Sequence, residues 1–555
     1  MCGILGIQFD KNLYHHDDIK FRISKMMEVN RYRGRDYEGF NQYDQTFLGM
    51  SRLAIFDNKS YPLPVESKNS VITYNGEIYD FNQQIETDFS KSDTGALLNY
   101  LEKKKDIEYL NGMFAFGFYE KESKELFLAR DRSGEKPLYF YQKKGLFIFA
   151  SDIKSILAGL SKKEYPKLLE NEDIKFFELN CFSNTPFKDI YALKPGNLMK
   201  VKNASIKFNS TYLSSKTTEK SVGKDWKDEM KFLIKDAVEI RCKNRSGKIA
   251  TALSGGLDSS IVTALAKPDF SVLGEYSLKG FTEGKEVHNF AKDIKVNLKV
   301  FRPKKSQFNK IFSKIPFLMD TPATWTSFNL FLLYKKVSDN GARICLSGEG
   351  ADELFGGYAR YRLIYYLNQI FADKVLKNRY EPLIENIFGT KKNAYLKITN
   401  RSKLSINNFK KVSKFYDNVF NKKLGLLSKL GMIDFCTSMQ ILLQMPDRIG
   451  MFHEVESRAP FLDYRLISFA KSLPDELKIS EEMSKVALRK IAQDLIPSYK
   501  SESFKKGFAV PYNVWFADGG FSREKYNDEY LKLWNKSFKN YSSFMRSLSE
   551  FKNEF

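Results

Sequence analysis

Twice in this chain an apolar, strand-like run ends in a glycine-rich loop that opens a helical pattern. No other feature constrains the fold as much. Residues 249–253 lead into Ser254-Gly255-Gly256-Leu257-Asp258-Ser259-Ser260, with helical spacing over 259–266. Residues 343–346 lead into Ser347-Gly348-Glu349-Gly350-Ala351-Asp352-Glu353. Strands alternating with helices predict a parallel sheet, because a parallel neighbour is reached only through a crossover. Helical spacing begins at Trp226, where Met230, Leu233, Ile234, Ala237 and Ile240 share a face. Residues 359–445 read as largely helical and lysine-rich. The chain before about Asn203 reads differently. Short β-like runs at 48–56, 70–74, 113–119, 126–129 and 146–150 are separated by turn residues, and Lys194-Pro195-Gly196 is a strong turn signal. The expected organisation is a β-rich unit over 2–203, a polar linker at 204–225, an α/β unit over 226–515 and a charged, aromatic tail at 516–555.

Composition serves mainly to exclude. With 555 residues, 43% of them hydrophobic, the chain has room for at least two cores and is neither disordered nor fibrous. It has no 18-residue apolar run, so no spanning helix is expected, and the first eleven residues are too short and poorly flanked for a secretory signal. Cys2, Cys181, Cys242, Cys345 and Cys436 are scattered with no C-x-x-C pair. That pattern argues against a zinc site or a disulfide framework and fits a reducing, cytoplasmic setting. The net charge is +22, but the lysines are spread over the whole length without a compact basic block. Diffuse surface lysine is therefore favoured over a nucleic-acid or membrane partner, and an anionic substrate needs only a local patch.

The glycine loops carry the first chemistry. Backbone N–H groups at a glycine turn, together with the following helix N-terminus, form an anion cradle. No Gly-Lys-Ser/Thr is present, so the first loop is not a P-loop. Asp258 can hold Mg²⁺ against phosphates, or merely cap the helix. The second loop fails the dinucleotide fingerprint because Glu353 stands where the third glycine belongs. Its three acids, Glu349, Asp352 and Glu353, suit metal binding and acid/base work beside a nucleotide.

The second chemistry begins at the N-terminus. Removal of Met1 would leave Cys2 with a free α-amine, of pKa about 8, beside a thiol of about 8.5, so the amine is a plausible base. In Tyr74-Asn75-Gly76-Glu77, the Asn75 amide and the Gly76 N–H can donate to a developing oxyanion, although Asn-Gly is also a hairpin turn. Arg52, read at the start of a strand, can fork onto a carboxylate or lie on the surface. Asp93 can pair with an ammonium or cap the next helix, since Ser92, Asp93 and Thr94 are all good N-caps.

These segments, with Arg31-Tyr32-Arg33-Gly34-Arg35-Asp36, Gly112-Met113-Phe114-Ala115-Phe116 and 130–139, resemble the class II glutamine amidotransferase domain. Their order and spacing are similar to those of the glutamine-hydrolysing asparagine synthetase family. Ser254–Ser260, Ser347–Tyr358, Glu456–Asp463 and 505–511 resemble that family's ATP-pyrophosphatase half. The resemblance implies an α+β glutaminase of sandwiched antiparallel sheets, of the Ntn-hydrolase type, joined to a Rossmann-like α/β parallel-sheet domain.

It also implies roles. Cys2 would attack the glutamine amide, with Asn75 and Gly76 as oxyanion hole; Arg52 would hold the glutamine carboxylate, and Glu77 and Asp93 its ammonium. Leu253, Ser254, Gly255, Gly256, Asp258, Ser259, Leu278, Ser347, Gly348 and Lys485 would bind ATP, with Leu253 and Leu278 flanking the adenine. Asp258 and Asp352 would hold Mg²⁺, and Glu349 would support the acyl-adenylate. Glutamine, ATP and aspartate are the implied substrates, ATP and Mg²⁺ the cofactors, with an internal ammonia channel. No nucleic acid or membrane insertion is expected, and a homodimer is allowed. Another carboxylate, such as a sugar acid of a surface polysaccharide, is the alternative acceptor. An RNA-modifying enzyme sharing the pyrophosphatase loop is a third reading, opposed by the intact glutaminase half. The sequence departs from the family at Tyr32 and Arg35, where His and Pro are usual, and at Gly95, usually acidic. These departures bear on how the glutamine loop is positioned.

Overall fold

The computed structural model describes residues 2–55, 61–79, 92–104, 107–170, 176–177, 183–213, 223–243, 247–276, 285–321, 326–372, 391–400, 405–496, 515 and 523–553. The N-terminal half holds two six-stranded sheets. The first runs β10 (Ile190–Ala192), β8 (Tyr139–Lys143), β9 (Leu146–Ala150), β1 (Cys2–Phe9), β3 (Thr46–Arg52), β2 (Tyr37–Tyr43). The second runs β12 (Ser205–Thr211), β11 (Asn197–Lys202), β7 (Glu125–Arg130), β6 (Gly112–Glu120), β5 (Ser70–Ile78), β4 (Val65–Glu66). Neighbours in both pair antiparallel.

Side chains alternate across each strand, so the two faces of a strand enter different cores. Ile4, Leu48 and Met50 of the first sheet meet Val71, Ala115 and Leu128 of the second between the sheets. Leu5 and Ile7 turn outward onto Ile19, Ile23 and Met26 of helix His16–Asn30. Ile72, Phe114 and Phe116 turn outward onto Leu97, Leu98 and Leu101 of helix Asp93–Lys104. The result is a sandwich of antiparallel sheets between helices. β1 is buried on both faces along its whole length, so it lacks the polar alternation that marks a surface strand.

The C-terminal half is built on a parallel sheet in the order β15 (Leu298–Phe301), β14 (Phe270–Gly274), β13 (Lys248–Ala252), β16 (Ala342–Leu346), β17 (Glu456–Arg458). From β13 the order runs one way through β14 and the other way through β16. The reversal leaves a crevice at the carboxyl ends of β13 and β16, the place where open parallel sheets bind ligands. Both glycine loops open there. The expected strands at 249–253 and 343–346 are β13 and β16, and the expected helix runs Leu257–Ala266. The fold class read from the sequence is the one observed.

Three local expectations are corrected. Residues 205–211, inside the expected linker, form edge strand β12; its side chains are mostly exposed, so polarity there marks an edge rather than a linker. The tail is not an appendage. Tyr526, Tyr530, Trp534 and Phe538, spaced by four, line the inner face of helix Arg523–Phe538, and Phe544, Leu548 and Phe551 continue it along Tyr541–Lys552. Phe538 stacks on Phe317 at 5.2 Å, and Phe551 meets Tyr32 edge-on at 5.4 Å, so the tail packs on both halves. Arg52 ends a strand instead of beginning one. The β1–β3 register pairs it with Cys2, the first residue of β1.

Two candidate reaction sites and their junction

That register places Arg52 beside Cys2. Cys2 is buried, and its backbone N–H donates to Asn75 Oδ1 at 3.1 Å. Burial pushes the Cys2 thiol up, while the chain's amino terminus and Arg52 pull it down. The Asn75–Gly76 pair is not a hairpin turn: both residues lie inside β5, opposite Ala115 and Phe114 of β6. Gly76 takes φ +154°, and a Cβ there would sit 2.0 Å from the Met113 carbonyl oxygen, so only glycine fits. Asn75 is fully buried and its Nδ2 has no hydrogen-bond partner. A buried, unsatisfied amide beside a thiol is costly unless something arrives to accept from it.

Arg52 lies under the Tyr61 ring at 4.3 Å and the Tyr37 ring at 5.6 Å, which fixes the fork. Asp93 opens helix Asp93–Lys104, but the Ser92 hydroxyl makes the capping bond, accepting from Gly95 N at 3.0 Å. Asp93 accepts from the next residue, Thr94 N, at 2.7 Å. Burial pushes its carboxyl up to about 6, with Arg52 among the opposing charges. Gly95 leaves that helix turn without the usual acid. Glu77, also on β5, is raised by burial, with Arg458 as the strongest opposing influence.

The second site stands at the crevice. Ser259 Oγ donates to Ser254 O at 2.7 Å and accepts from Ser254 N at 3.1 Å, while Ser260 Oγ donates to Gly256 O at 2.9 Å. These bonds tie the first loop into a fixed turn at the start of helix Leu257–Ala266. Leu253 packs on Leu273 and Val287 at its edge. Leu278 and the 505–511 motif lie outside the described residues. The two loops touch: a Cβ on Gly348 would lie 2.8 Å from Asp258 Cβ.

Asp258 and Asp352, 94 positions apart, converge on one buried cation. Lys485 Nζ lies 2.5 Å from Asp258 Oδ2 and 2.5 Å from Asp352 Oδ1. Their charges raise the lysine against the opposing effect of burial. A Cβ on Gly357 would fall 1.8 Å from Asp352 Oδ1, so that glycine keeps the carboxylate in place. Two carboxylates meeting at one point suit a divalent cation whose other ligands are phosphates; among the described residues no cluster of three His, Cys, Asp or Glu could hold a metal alone.

The three acids of the second loop separate. Glu353 turns into the helical layer, where Tyr358 OH donates to it at 2.5 Å and burial pushes its carboxyl up to about 7. Glu349 stays at the crevice. It is raised by burial, with the negative charges of Asp258 and Asp352 adding to that rise and Ser347 opposing.

The halves meet at buried polar contacts. Glu135 and Lys136 of the first half close, with Ser347, Glu349, Asp447 and Ser457 of the second, around a space of about 10 Å³, the lower limit for one water-sized molecule. Arg33 joins Cys2 O at 3.4 Å to Asp447 at 2.7 Å. Arg458 was read only as part of a motif, yet it connects the two sites. Its side chain reaches Glu456 at 2.5 Å, Arg241 O at 2.6 Å and Glu77 at 3.3 Å, while its carbonyl accepts from Ser347 N at 3.0 Å. Glu456 and Arg458 alternate by two on a strand and so share a face, the one local signal available. Tyr32, one of the departures, donates to Asp152 at 2.7 Å in a buried network with Lys154 and Asp320. Arg35 donates to Phe452 O at 3.2 Å, on the other half.

Comparisons with known proteins divide the chain as its architecture does. The family described as "Asparagine synthase" matches residues 229–542, and "Glutamine amidotransferase domain" matches residues 1–213. The chain is similar to Asparagine synthetase [glutamine-hydrolyzing] 1 of Bacillus subtilis, with 27% identity over 93% of this chain and 88% of that protein. It is also similar to Asparagine synthetase [glutamine-hydrolyzing] 3 of the same organism, with 26% identity over 90% and 85%. Among solved structures, glutamine phosphoribosylpyrophosphate amidotransferase from B. subtilis matches 56% of this chain and 70% of that one, at 11% identity and a TM-score of 0.27.

Proposed function

The chain belongs to the asparagine synthase family and carries a glutamine amidotransferase domain, and on that premise we propose that it is a glutamine-dependent asparagine synthetase. Glutamine and water give glutamate and ammonia at the first site. Aspartate and ATP give β-aspartyl-AMP and pyrophosphate at the second, and ammonia displaces AMP to give asparagine.

At the first site Cys2 Sγ attacks the glutamine side-chain amide. Asn75 Nδ2, buried without a partner, and the Gly76 N–H donate to the oxyanion that forms. Arg52 holds the glutamine carboxylate, and Asp93 and Glu77 hold its ammonium. The α-amine of Cys2, once Met1 is removed, takes the thiol proton and returns it to the departing ammonia.

At the second site the turn at 254–256 and the Ser347–Gly348 backbone cradle the phosphates, with Leu253 against the base. Asp258 and Asp352 would hold Mg²⁺, which when bound neutralises charge on the leaving pyrophosphate. Lys485 answers the remaining phosphate charge from the same point. Glu349 stands where the crevice meets the junction space, and from there its carboxyl can hold a proton of the acceptor or of the incoming amine. Ammonia crossing that junction meets the adenylate before water does.

The observation that carries the coupled reading is the Arg458 bridge, because one buried side chain touches the ammonium-binding candidate while its own backbone holds the phosphate loop. ATP–pyrophosphate exchange, run with aspartate, glutamate and sugar acids in parallel, tests the acceptor. Aspartate-dependent exchange, with asparagine, glutamate, AMP and pyrophosphate formed in equal amounts from glutamine, is expected. Exchange supported by another acid and not by aspartate would overturn the choice of acceptor and leave the amidotransferase reading standing.

A further inference from the structure

A cavity of about 970 Å³ lies between the two halves, and no residue assigned above to either reaction site lines it. One wall is the turn at 192–195 with Arg132; the other is formed by helices Lys410–Phe420, Leu426–Cys436 and Tyr464–Ser472. Its floor is apolar, with Leu354, Phe415, Leu424, Met432, Phe435 and Ile467. Its charged lining is cationic but for one acid, and Ser183, Asn184, Ser428, Gln440 and Gln444 add neutral polar groups. Lys194, Lys411, Lys422, Lys423 and Lys471 are exposed at the opening, and the one carboxylate residue in the wall is Glu353, already engaged by Tyr358.

These cations have no acidic partner among the described residues. Arg132 lies over the Tyr464 ring at 4.8 Å, and its buried Nε has no hydrogen-bond partner, nor has the Ser183 hydroxyl in the same wall. Lys478 is only 2% exposed, and its ammonium donates to the Ser428 hydroxyl at 2.7 Å rather than to an acid. Burial pulls Lys478 down to about 8, with Asp475 opposing. A ring of like charges around an apolar floor is unfavourable unless an anion is shared. Some surface lysines elsewhere do pair with an acid, such as Lys335 with Asp339 at 2.9 Å.

We infer that this cavity is a binding site, separate from both reaction sites, for an organic anion that carries a multiply charged head and an apolar body. The head lies among Lys422, Lys471, Lys478 and Arg132, and the body on Phe415, Met432 and Phe435. Nucleoside triphosphates and alkyl phosphates share that chemistry. Leu354 in the floor belongs to the same short helix, Ala351–Phe355, as Asp352, so an occupant touches the element that carries the pyrophosphate carboxylate.

The test uses the full chain and the fluorescent anion 8-anilinonaphthalene-1-sulfonate as probe. No ATP is added during dye binding, and comparison with the K422E/K471E cavity variant separates this site from the nucleotide crevice. One saturable dye site is expected, displaced by GTP or by dodecyl phosphate, and the arm that displaces identifies the head and body the cavity takes. The neutral dye N-phenyl-1-naphthylamine should bind at least tenfold more weakly. The surface variant K422E/K471E should weaken anionic dye binding at least tenfold while glutamine hydrolysis and ATP–pyrophosphate exchange stay within twofold of the parent. Equal dye affinity in parent and variant, equal binding of the neutral dye, or displacement by neither phosphate would overturn the inference.

Discussion

Replacing Arg458 by methionine keeps most of its volume and removes its charge. In the native structure that guanidinium, fully buried, lies between Glu456, also fully buried, and Glu77, 3% exposed. Removing one partner from a buried charged group costs about 3–5 kcal/mol, and here two carboxylates lose the same cation. The exposed alternative, water, does not reach either one. Glu77 is already raised by burial and Arg458 is its strongest opposing influence, so its proton is held more tightly in the variant. A protonated Glu77 no longer attracts the ammonium of glutamine. A hydrogen bond to a charged group contributes about 1.5–3 kcal/mol. At 1.36 kcal/mol per tenfold, the KM for glutamine should rise about 10- to 100-fold. The rise should shrink toward higher pH, where Glu77 regains its charge. Ammonia-dependent synthesis should fall much less, because the contact to the phosphate loop is made by the Arg458 backbone carbonyl. Arg458→Lys should lie between parent and methionine variant. Initial rates with glutamine and with ammonia, each across pH 6–9 on protein of native circular dichroism, provide the assay. A folded methionine variant with unchanged glutamine KM, or with both nitrogen sources impaired alike, would refute the bridge.

Cys2→Ala should abolish glutamine-dependent synthesis and spare the ammonia-dependent reaction; loss of both in folded protein would contradict the division between sites. Asp258→Ala or Asp352→Ala should each stop pyrophosphate release while glutamine hydrolysis persists, read as AMP formed per glutamate formed. Glu349→Gln keeps the shape and removes the ability to exchange a proton, so ATP–pyrophosphate exchange should drop at least 100-fold with little change in thermal unfolding; exchange at the parental rate would remove Glu349 from the chemistry. Asp93 is raised to about 6, so its charge is present above pH 6 and lost as pH falls through that value. The KM for glutamine should therefore climb below pH 6, about tenfold per unit at the limit, and Asp93→Asn should flatten that limb; an unchanged profile in the variant would assign the titration elsewhere.

What the sequence determined by itself was whatever is decided over a few neighbouring residues. The strand, glycine loop and helix at 248–266 and the second loop at 342–355 are local events, and each was legible from apolar runs and glycine spacing. The position of Cys2 and the segment containing Asn75 and Gly76 were legible for the same reason. Tertiary structure decided which of these groups meet. Arg52 was read at a strand start, and only the β1–β3 register brings it to the end of a strand beside Cys2. Asn-Gly had two local readings, and pairing of β5 with β6 selects the strand. Glu349 and Glu353 are four apart in one acidic run, yet they part because one remains at the crevice and the other enters the helical layer with Tyr358. Along the chain Lys485 reads as a helix lysine that only the family resemblance assigns to ATP, and the fold brings two distant aspartates onto it. The Glu77–Arg458 contact spans 381 positions, and nothing within reach of either residue along the chain predicts it. Local pattern follows from the periodicity of helix and strand, whereas a charge pair or a cavity wall exists only once distant elements have packed and excluded water between them.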